Sequence, residues 1–111
     1  MPTERAKEIE VISDAGNTAV VRMPGRRFPG LVIQGDSLFN FYTELREVEA
    51  ALTASNGEDS ELAGLVCAIA DSIHERLWWY EHDLNQAGYE ELPYGQSVGK
   101  PGEFESGDKV V

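Results

Sequence analysis

Hydrophobic and polar residues alternate in the first third of the chain. Between residues 8 and 13, Ile9 and Val11 fall on one side of the chain, which is the two-residue period of a half-buried strand. Two further apolar runs cover residues 18–23 and 28–34, and turns rich in Gly, Pro and Asn separate the three runs. The pattern predicts three short strands joined as an antiparallel meander.

After the third strand the apolar period becomes that of a helix. Asp36 or Ser37 can cap a helix through its side-chain oxygen. The apolar residues that follow, at spacings of three and four, are Leu38, Phe41, Tyr42, Leu45, Val48 and Leu52. A second capping pair, Asp59 and Ser60, begins a longer helix, for which Gly88 is a suitable C-cap. The two helices are expected to form a hairpin that is laid on one face of the sheet.

The longer helix is amphipathic, with a stripe of eight apolar residues. They are Leu62, Leu65, Val66, Ile69, Ile73, Leu77, Tyr80 and Leu84. At about 100° per residue they fall within about 120° of arc, so we expect this stripe to be buried. The side opposite the stripe carries Cys67, Asp71, His74, Trp78, Glu81 and Asn85.

The predicted fold is therefore α+β, a three-stranded antiparallel meander followed by a two-helix hairpin and an irregular C-terminal tail. We expect residues 1–95 to form a single domain, with Leu92 and Tyr94 packing back onto it. Residues 96–111 are rich in glycine and charges of both signs, which is typical of a flexible tail.

The chain is acidic, and its charge is uneven. Its 111 residues include 9 Lys+Arg and 20 Asp+Glu, a net charge of −11. Residues 1–35 have a net charge of +1, so residues 36–111 carry −12. An acidic surface disfavours binding to nucleic acid or anionic membrane, because phosphate groups require a surplus of Lys and Arg. A basic protein is the expected partner.

Other classes of protein are disfavoured by what the sequence lacks. The chain contains no apolar run of about 18 residues that would span a bilayer, and residues 1–8 lack the apolar core of a signal peptide. Its single cysteine, Cys67, cannot form an internal disulfide. We expect a cytoplasmic protein with no cofactor and no membrane association.

The polar side of the longer helix is the candidate binding surface. A tryptophan in water leaves about 1.5–3 kcal/mol of burial unused, so we expect Trp78 to be covered by the C-terminal segment, a second copy or a partner. Cys67, Asp71 and His74 have the spacing of metal ligands, but three mixed ligands on one helix make a weak site, and we expect no metal. The predicted partner-binding residues are Trp78, Asp71, His74 and Glu81 on this helix, with Arg26 and Arg27 in the turn before the third strand.

Two strings resemble blocks of the GDSL or SGNH esterases. They are Val32-Ile33-Gln34-Gly35-Asp36-Ser37-Leu38 and Asp71-Ser72-Ile73-His74. The resemblance implies that Ser37 is a nucleophile, His74 its base and Asp71 the residue that orients the base. That family also implies a larger, doubly wound parallel sheet, whereas the strands predicted here precede the serine.

A second resemblance involves residues 26–38. The strings Arg26-Arg27-Phe28-Pro29-Gly30 and Gln34-Gly35-Asp36-Ser37-Leu38 together resemble the signature of an uncharacterised family of small bacterial proteins. The resemblance covers about residues 8–55, and it implies a shared fold unit without implying an activity.

Charge and size favour a non-enzymatic protein-binding module. The most concrete form of this hypothesis is a small acidic immunity or inhibitor protein that covers a basic surface of its partner. Two alternatives are a small esterase that uses Ser37, Asp71 and His74, and a homodimeric structural or regulatory protein whose own interface is the Trp78 face.

Overall fold

A computed structural model of the chain describes residues 8–14, 16, 18–56 and 61–102. The elements are β1 (Glu10–Ser13), β2 (Thr18–Arg22), β3 (Gly30–Ile33), α1 (Gly35–Asn56) and α2 (Glu61–Gln86). This order confirms the predicted α+β fold of a meander followed by a helical hairpin. Neither helix, over the ranges described, is long and apolar enough to cross a membrane.

The three strands form one antiparallel sheet in the order β1-β2-β3. In β2 and β3, Thr18 pairs with Ile33 and Val20 pairs with Leu31. The register between β1 and β2 shifts once, between Val11 and Ser13. The turn between β2 and β3 is closed by a hydrogen bond of 3.1 Å from the Arg26 amide to the Met23 carbonyl, as expected from its Pro-Gly sequence.

The chain divides into two compact units, Met1–Gln34 and Gly35–Val111. We call them the sheet unit and the helical unit. The boundary between the units almost coincides with the division of charge, since residues 1–35 have a net charge of +1 and residues 36–111 a net charge of −12. The acidity of the protein therefore belongs to the helical unit.

The two helices pack side by side and run antiparallel. Tyr80 lies against Gly35 at one end, and Arg46 contacts Asp71 nearer the other end. A Cβ atom on Gly35 would overlap the Tyr80 ring, so the close approach of the helices requires glycine at this position.

The core of the helical unit lies between both helices and the chain that follows them. Its buried residues are Tyr42, Ala70, Leu77 and Val98. The partly buried residues packed against them are Leu38, Phe39, Leu45, Ile73, Trp78 and Tyr94. Val98 comes from beyond α2, so the C-terminal part of the chain contributes to this core.

The predicted buried stripe of α2 is wrong. The buried residues of this helix are Ala63, Ala70, His74, Leu77 and Glu81, and Leu77 alone belongs to the predicted stripe. At about 100° per residue, the buried stripe is rotated by about 90° from the predicted one. The reason is that α1 packs against the side of α2 that carries the small side chain of Ala70. The C-terminal part of the chain covers the neighbouring side, on which His74 and Glu81 lie.

After α2 the chain reverses direction at Gly88, which has a positive φ of 95°. The Tyr89 amide donates to the Leu84 carbonyl at 2.9 Å, which closes the end of the helix as expected at a glycine C-cap. Residues 92–102, which we call the strap, then run back along α2. The strap includes the first part of the tail expected from residue 96, and residues 103–111 of that tail lie outside the described residues.

Candidate functional site

The strap is attached to α2 through one buried carboxylate, that of Glu81. The hydroxyls of Tyr94 and Ser97 donate to Oε2 and Oε1, each at 2.7 Å. The Val98 amide donates to Oε2 at 2.9 Å. Hydrogen bonds to a charged acceptor are strong, and a carboxylate needs them when it is removed from water. Glu81 therefore anchors the strap.

His74 provides the second attachment. Its Nε2 lies 2.8 Å from the Gly99 carbonyl oxygen and 3.0 Å from that of Val98. Because both carbonyls are acceptors, Nε2 must carry the proton and donate. The imidazole ring also lies 5.4 Å from the Tyr42 ring. The Nε2 atom therefore has no lone pair to offer as a general base.

Aromatic packing completes the attachment. The Phe39 and Tyr94 rings are stacked, with centroids 4.2 Å apart and an interplanar angle of 1°. Trp78 is half-buried against the core cluster to which Val98 belongs. The strap thus lies on the side of α2 that carries Trp78, the residue predicted to be covered by the C-terminal segment, a second copy or a partner.

Beside the strap, Arg46 of α1 links the two helices electrostatically. Its guanidinium lies 2.7 Å from Asp71 on α2 and 2.9 Å from Glu49 on its own helix. Burial acts to lower the pKa of Arg46, but hydrogen bonds to Tyr42, Asp71 and Glu49 raise it above its ordinary value. Arg46 is therefore a permanent cation that is already paired within the chain.

Cys67 lies next to this ion pair. Its Sγ is 4.0 Å from an Arg46 nitrogen and 3.7 Å from Asp71 Oδ2. Burial, a hydrogen bond with Glu49 and the negative charge of Asp71 raise the pKa of the Cys67 thiol. A thiol is a weak nucleophile until it ionises, so this environment is unlike that of a catalytic cysteine.

These groups surround a cavity of about 570 Å³ at the junction of α1, α2 and the strap. It is lined by Arg46, Cys67, Asp71, His74, Glu75, Pro101 and Gly102. Over the part of the chain that the structure describes, no three His, Cys, Asp or Glu side chains are grouped so as to hold a metal ion. The cavity is polar, and its one arginine is neutralised by its neighbours.

The four predicted partner-binding residues of α2 fall into two environments. His74 and Glu81 are buried beneath the strap and bonded to it. Asp71 is exposed and paired with Arg46, while Trp78 is half-buried in the core. The residues are close together, but a partner reaches only part of this set while the strap is in place.

Arg26 and Arg27 belong to the sheet unit. The Arg26 carbonyl accepts a hydrogen bond from Arg22 at 3.2 Å, and the Arg27 guanidinium lies 5.3 Å from the centroid of the Phe28 ring. Both side chains are exposed beside a turn.

The outer side of α2 carries an exposed tryptophan, which is Trp79 and not Trp78. Trp79 is 55% exposed, and its ring meets the His82 ring edge-on at 5.4 Å. Asp71 and Glu75 precede Trp79 by eight and four residues, so these side chains project from one side of the helix. We call Asp71, Glu75, Trp79 and His82 the outer face.

The esterase residues have other partners in the structure. Asp71 Oδ1 accepts from Arg46, and His74 Nε2 donates to the strap. The Ser37 amide bonds to the Asp36 side chain at 2.8 Å, at the beginning of α1. These contacts are those of a helix cap and a helix junction.

Sequence reasoning missed Arg46 and the strap residues Ser97 and Val98. Arg46 follows Tyr42 by one helical turn, and a basic residue on an apolar side is a signal of a buried ion pair. The strap contains no periodic pattern, because the side chains of α2 bind mainly its backbone.

No curated protein and no solved structure matches this sequence. One family does match, over residues 4–94, and that segment includes all five helices and strands. The chain belongs to the DUF6959 family, a family of unknown function.

Proposed function

We propose that this protein is a non-enzymatic binding module, a small acidic immunity or inhibitor protein that covers a basic surface of a partner protein. The observation that carries the proposal is the outer face of α2, where an exposed tryptophan lies among carboxylates. Tryptophan is enriched among the residues that dominate binding energy, and acidic neighbours attract a cationic surface.

The charge of the helical unit supports a basic partner. Residues 36–111 carry −12, and the exposed acidic residues of this part include Glu44, Glu47, Glu75, Asp83, Glu90 and Glu91. Arg46, a cation beside the outer face, is already paired with Asp71 and Glu49 and so does not offer a free positive charge there. A field of one sign over a whole unit accelerates encounter with a partner of the opposite sign.

The contacts of His74 and Cys67 favour binding over catalysis. His74 Nε2 donates to two carbonyls, so this nitrogen is not available to deprotonate Ser37. Burial and neighbouring carboxylates keep the Cys67 thiol protonated at neutral pH. A stoichiometric inhibitor requires neither group, because a complementary surface is sufficient.

The test begins with capture of the partner from the native host by the immobilised full-length chain, followed by kinetic measurements on the identified protein. We expect a basic protein whose association rate constant falls at least about tenfold between 0.05 and 0.5 M NaCl. We expect Trp79→Ala to raise the dissociation rate constant by roughly 10- to 100-fold.

Leu31→Ala is the control, because Leu31 is 65% exposed and belongs to the sheet unit, whereas the outer face belongs to α2. Its kinetics should equal those of the wild type. Trp78→Ala should also speed dissociation if the predicted Trp78 surface is used, and it should lower stability because Trp78 packs on the core. A partner that binds equally well at high salt and to Trp79→Ala would refute the proposal.

The esterase alternative makes a different prediction that a single labelling experiment decides. A fluorophosphonate probe should leave Ser37 unmodified in the full-length protein, because His74 Nε2, the nitrogen that would activate it, donates to the strap. Labelling of Ser37 that is lost in His74→Ala would establish an enzyme instead.

A further inference from the structure

The hairpin has an apolar side opposite the strap. On α1 it carries Phe41, Leu45, Val48 and Leu52; on α2 it carries Leu62, Leu65, Val66, Ile69 and Ile73. We call these residues the seam face. Phe41, Val48, Leu62, Leu65 and Ile69 are each about half exposed, at 50, 47, 56, 63 and 52%. The α2 part of the seam face makes up five of the eight residues of the stripe that the sequence predicts to be buried.

The geometry of the two helices places these residues on one side. On α2, His74 bonds to the strap, and Ile69 and Leu65 lie roughly 140° and 180° away from it around the helix. On α1, Phe39 stacks on the strap, and Phe41 lies about 160° away from it. Because the helices run antiparallel, these rotations away from the strap lead to the same side of the hairpin on both helices.

The spacing of the seam face is that of helices packed against other helices. Phe41, Leu45, Val48 and Leu52 follow one another at intervals of four, three and four residues. Leu62, Val66, Ile69 and Ile73 repeat the same intervals on α2. Alternating steps of three and four are the seam of a coiled coil or a four-helix bundle.

The seam face also contains a hole of the kind that receives a side chain from a neighbouring helix. An open apolar depression of about 360 Å³ is lined by Phe41, Glu44, Leu45 and Val48. These residues stand at positions i, i+3, i+4 and i+7 of one helix, which is the set of four that surrounds an inserted knob in knobs-into-holes packing.

We infer that a second copy of this chain covers the seam face, so that two hairpins form a four-helix bundle. The face supplies both parts of such an interface: α1 offers the hole, and α2 offers projecting side chains in Leu65 and Ile69. A surface that carries both is self-complementary, as a two-fold dimer requires. The inference does not depend on the proposed function, which uses the outer face.

The exposed area agrees with this partner. At roughly 150 Å² for each side chain, the lower bound for an aromatic ring, the five half-exposed residues present about 400 Å² of apolar surface. That is as large as the largest apolar patch on a typical monomer, about 300–600 Å². The remainder of the roughly 800 Å² per partner of a stable interface would have to come from the adjoining residues of both helices.

The experiment is sedimentation equilibrium of the full-length chain over a wide range of concentrations. We expect a reversible dimer. Leu65→Glu should raise its dissociation constant at least about 100-fold, since the dimer would bury the charge twice. Asn85→Glu is the control: Asn85 is exposed on the same helix, about 145° from the middle of the seam face around the helix axis, and the dimer should keep its wild-type constant.

A second variant keeps the test decisive if Leu65→Glu does not fold. Ile69→Ser removes apolar area without adding charge and should weaken the dimer at least about tenfold, with helical circular dichroism unchanged. A chain that remains monomeric at every concentration overturns the inference. So does a dimer that tolerates a folded Leu65→Glu or Ile69→Ser, because its interface would lie elsewhere.

Discussion

At the scale of single residues, the carboxylate of Glu81 organises the helical unit. It is 92% buried, and its oxygens accept two hydroxyls and one backbone amide of the strap. A buried carboxylate with incomplete hydrogen bonding costs several kcal/mol, so these bonds fix the strap in one position. Among the described residues that are not exposed, no buried side-chain nitrogen or oxygen lacks a hydrogen-bond partner.

Tyr94 makes stability depend on pH in the alkaline range. Burial and the hydrogen bond to Glu81 raise the pKa of Tyr94 above its ordinary value of about 10. As the pH rises, tyrosine in the unfolded chain loses its proton first, so the folded state binds more protons and becomes less stable. We expect the free energy of unfolding to fall above about pH 10.

Tyr94→Phe isolates this contribution, because it keeps the ring stacked on Phe39 and removes only the hydroxyl. Urea unfolding between pH 9 and 11 should show a smaller loss of stability with pH in the variant than in the wild type. Tyr80, whose pKa is also raised, remains in both proteins. An equal loss of unfolding free energy with pH in the two proteins would show that the Tyr94 hydroxyl does not titrate in this way.

The residue types of the candidate site could be predicted from the sequence, but not which side chains are exposed. Polar residues at helical spacing placed Asp71, His74 and Glu81 on one side of α2, and the structure keeps them together. The covering of that side by the strap depends on contacts between residues distant in sequence, such as Tyr94 and Phe39. Such contacts leave no local pattern.

At the scale of elements, the approach of α1 to α2 is set at Gly35. The Tyr80 ring occupies the space that a side chain at residue 35 would need. The ring is held on α2, and burial together with the charge of Asp36 raises the pKa of its hydroxyl. The end of the hairpin is therefore closed by one aromatic ring packed on backbone.

Gly35→Ala should destabilise the protein by about 1–3 kcal/mol, because the new methyl group displaces the Tyr80 ring. Gly64→Ala is the matched control, since open space surrounds Gly64 within α2 and alanine favours the helix; it should stabilise by about 0.5–1 kcal/mol. Urea unfolding measures both. Equal effects of the two substitutions would mean that Tyr80 moves away without cost.

The sequence predicted all five elements, because turn residues and capping residues mark their ends locally. Asp36 and Gly88 lie at helix ends in the structure as expected. The orientation of α2 about its axis was not predictable by the same reasoning, since an apolar stripe shows which residues prefer burial but not which neighbour covers them. Small residues such as Ala70 decided the packing against α1 instead.

At the scale of the whole molecule, the acidic charge and the apolar seam face belong to the same unit. The net charge of −11 would repel a second copy of the chain and attract a basic protein. Salt screens both interactions. The two proposed associations therefore have opposite dependence on ionic strength.

We expect the dissociation constant of the dimer to fall as NaCl rises from 0.05 to 0.5 M, while binding of the basic partner weakens over the same range. Sedimentation of the chain alone and binding measurements in the same buffers give both trends. A dimer that dissociates as salt is added would indicate an interface held by ion pairs, in place of the apolar seam face.

The attachment of the strap has a consequence for how freely its sequence can vary in evolution. Of the five hydrogen bonds described between α2 and the strap, three involve backbone atoms of Val98 and Gly99. Substitution of a side chain leaves a backbone bond in place, so an exposed position such as Gln96 is under little constraint from this contact. Homologous chains should keep the histidine and glutamate of α2 while their straps diverge in sequence.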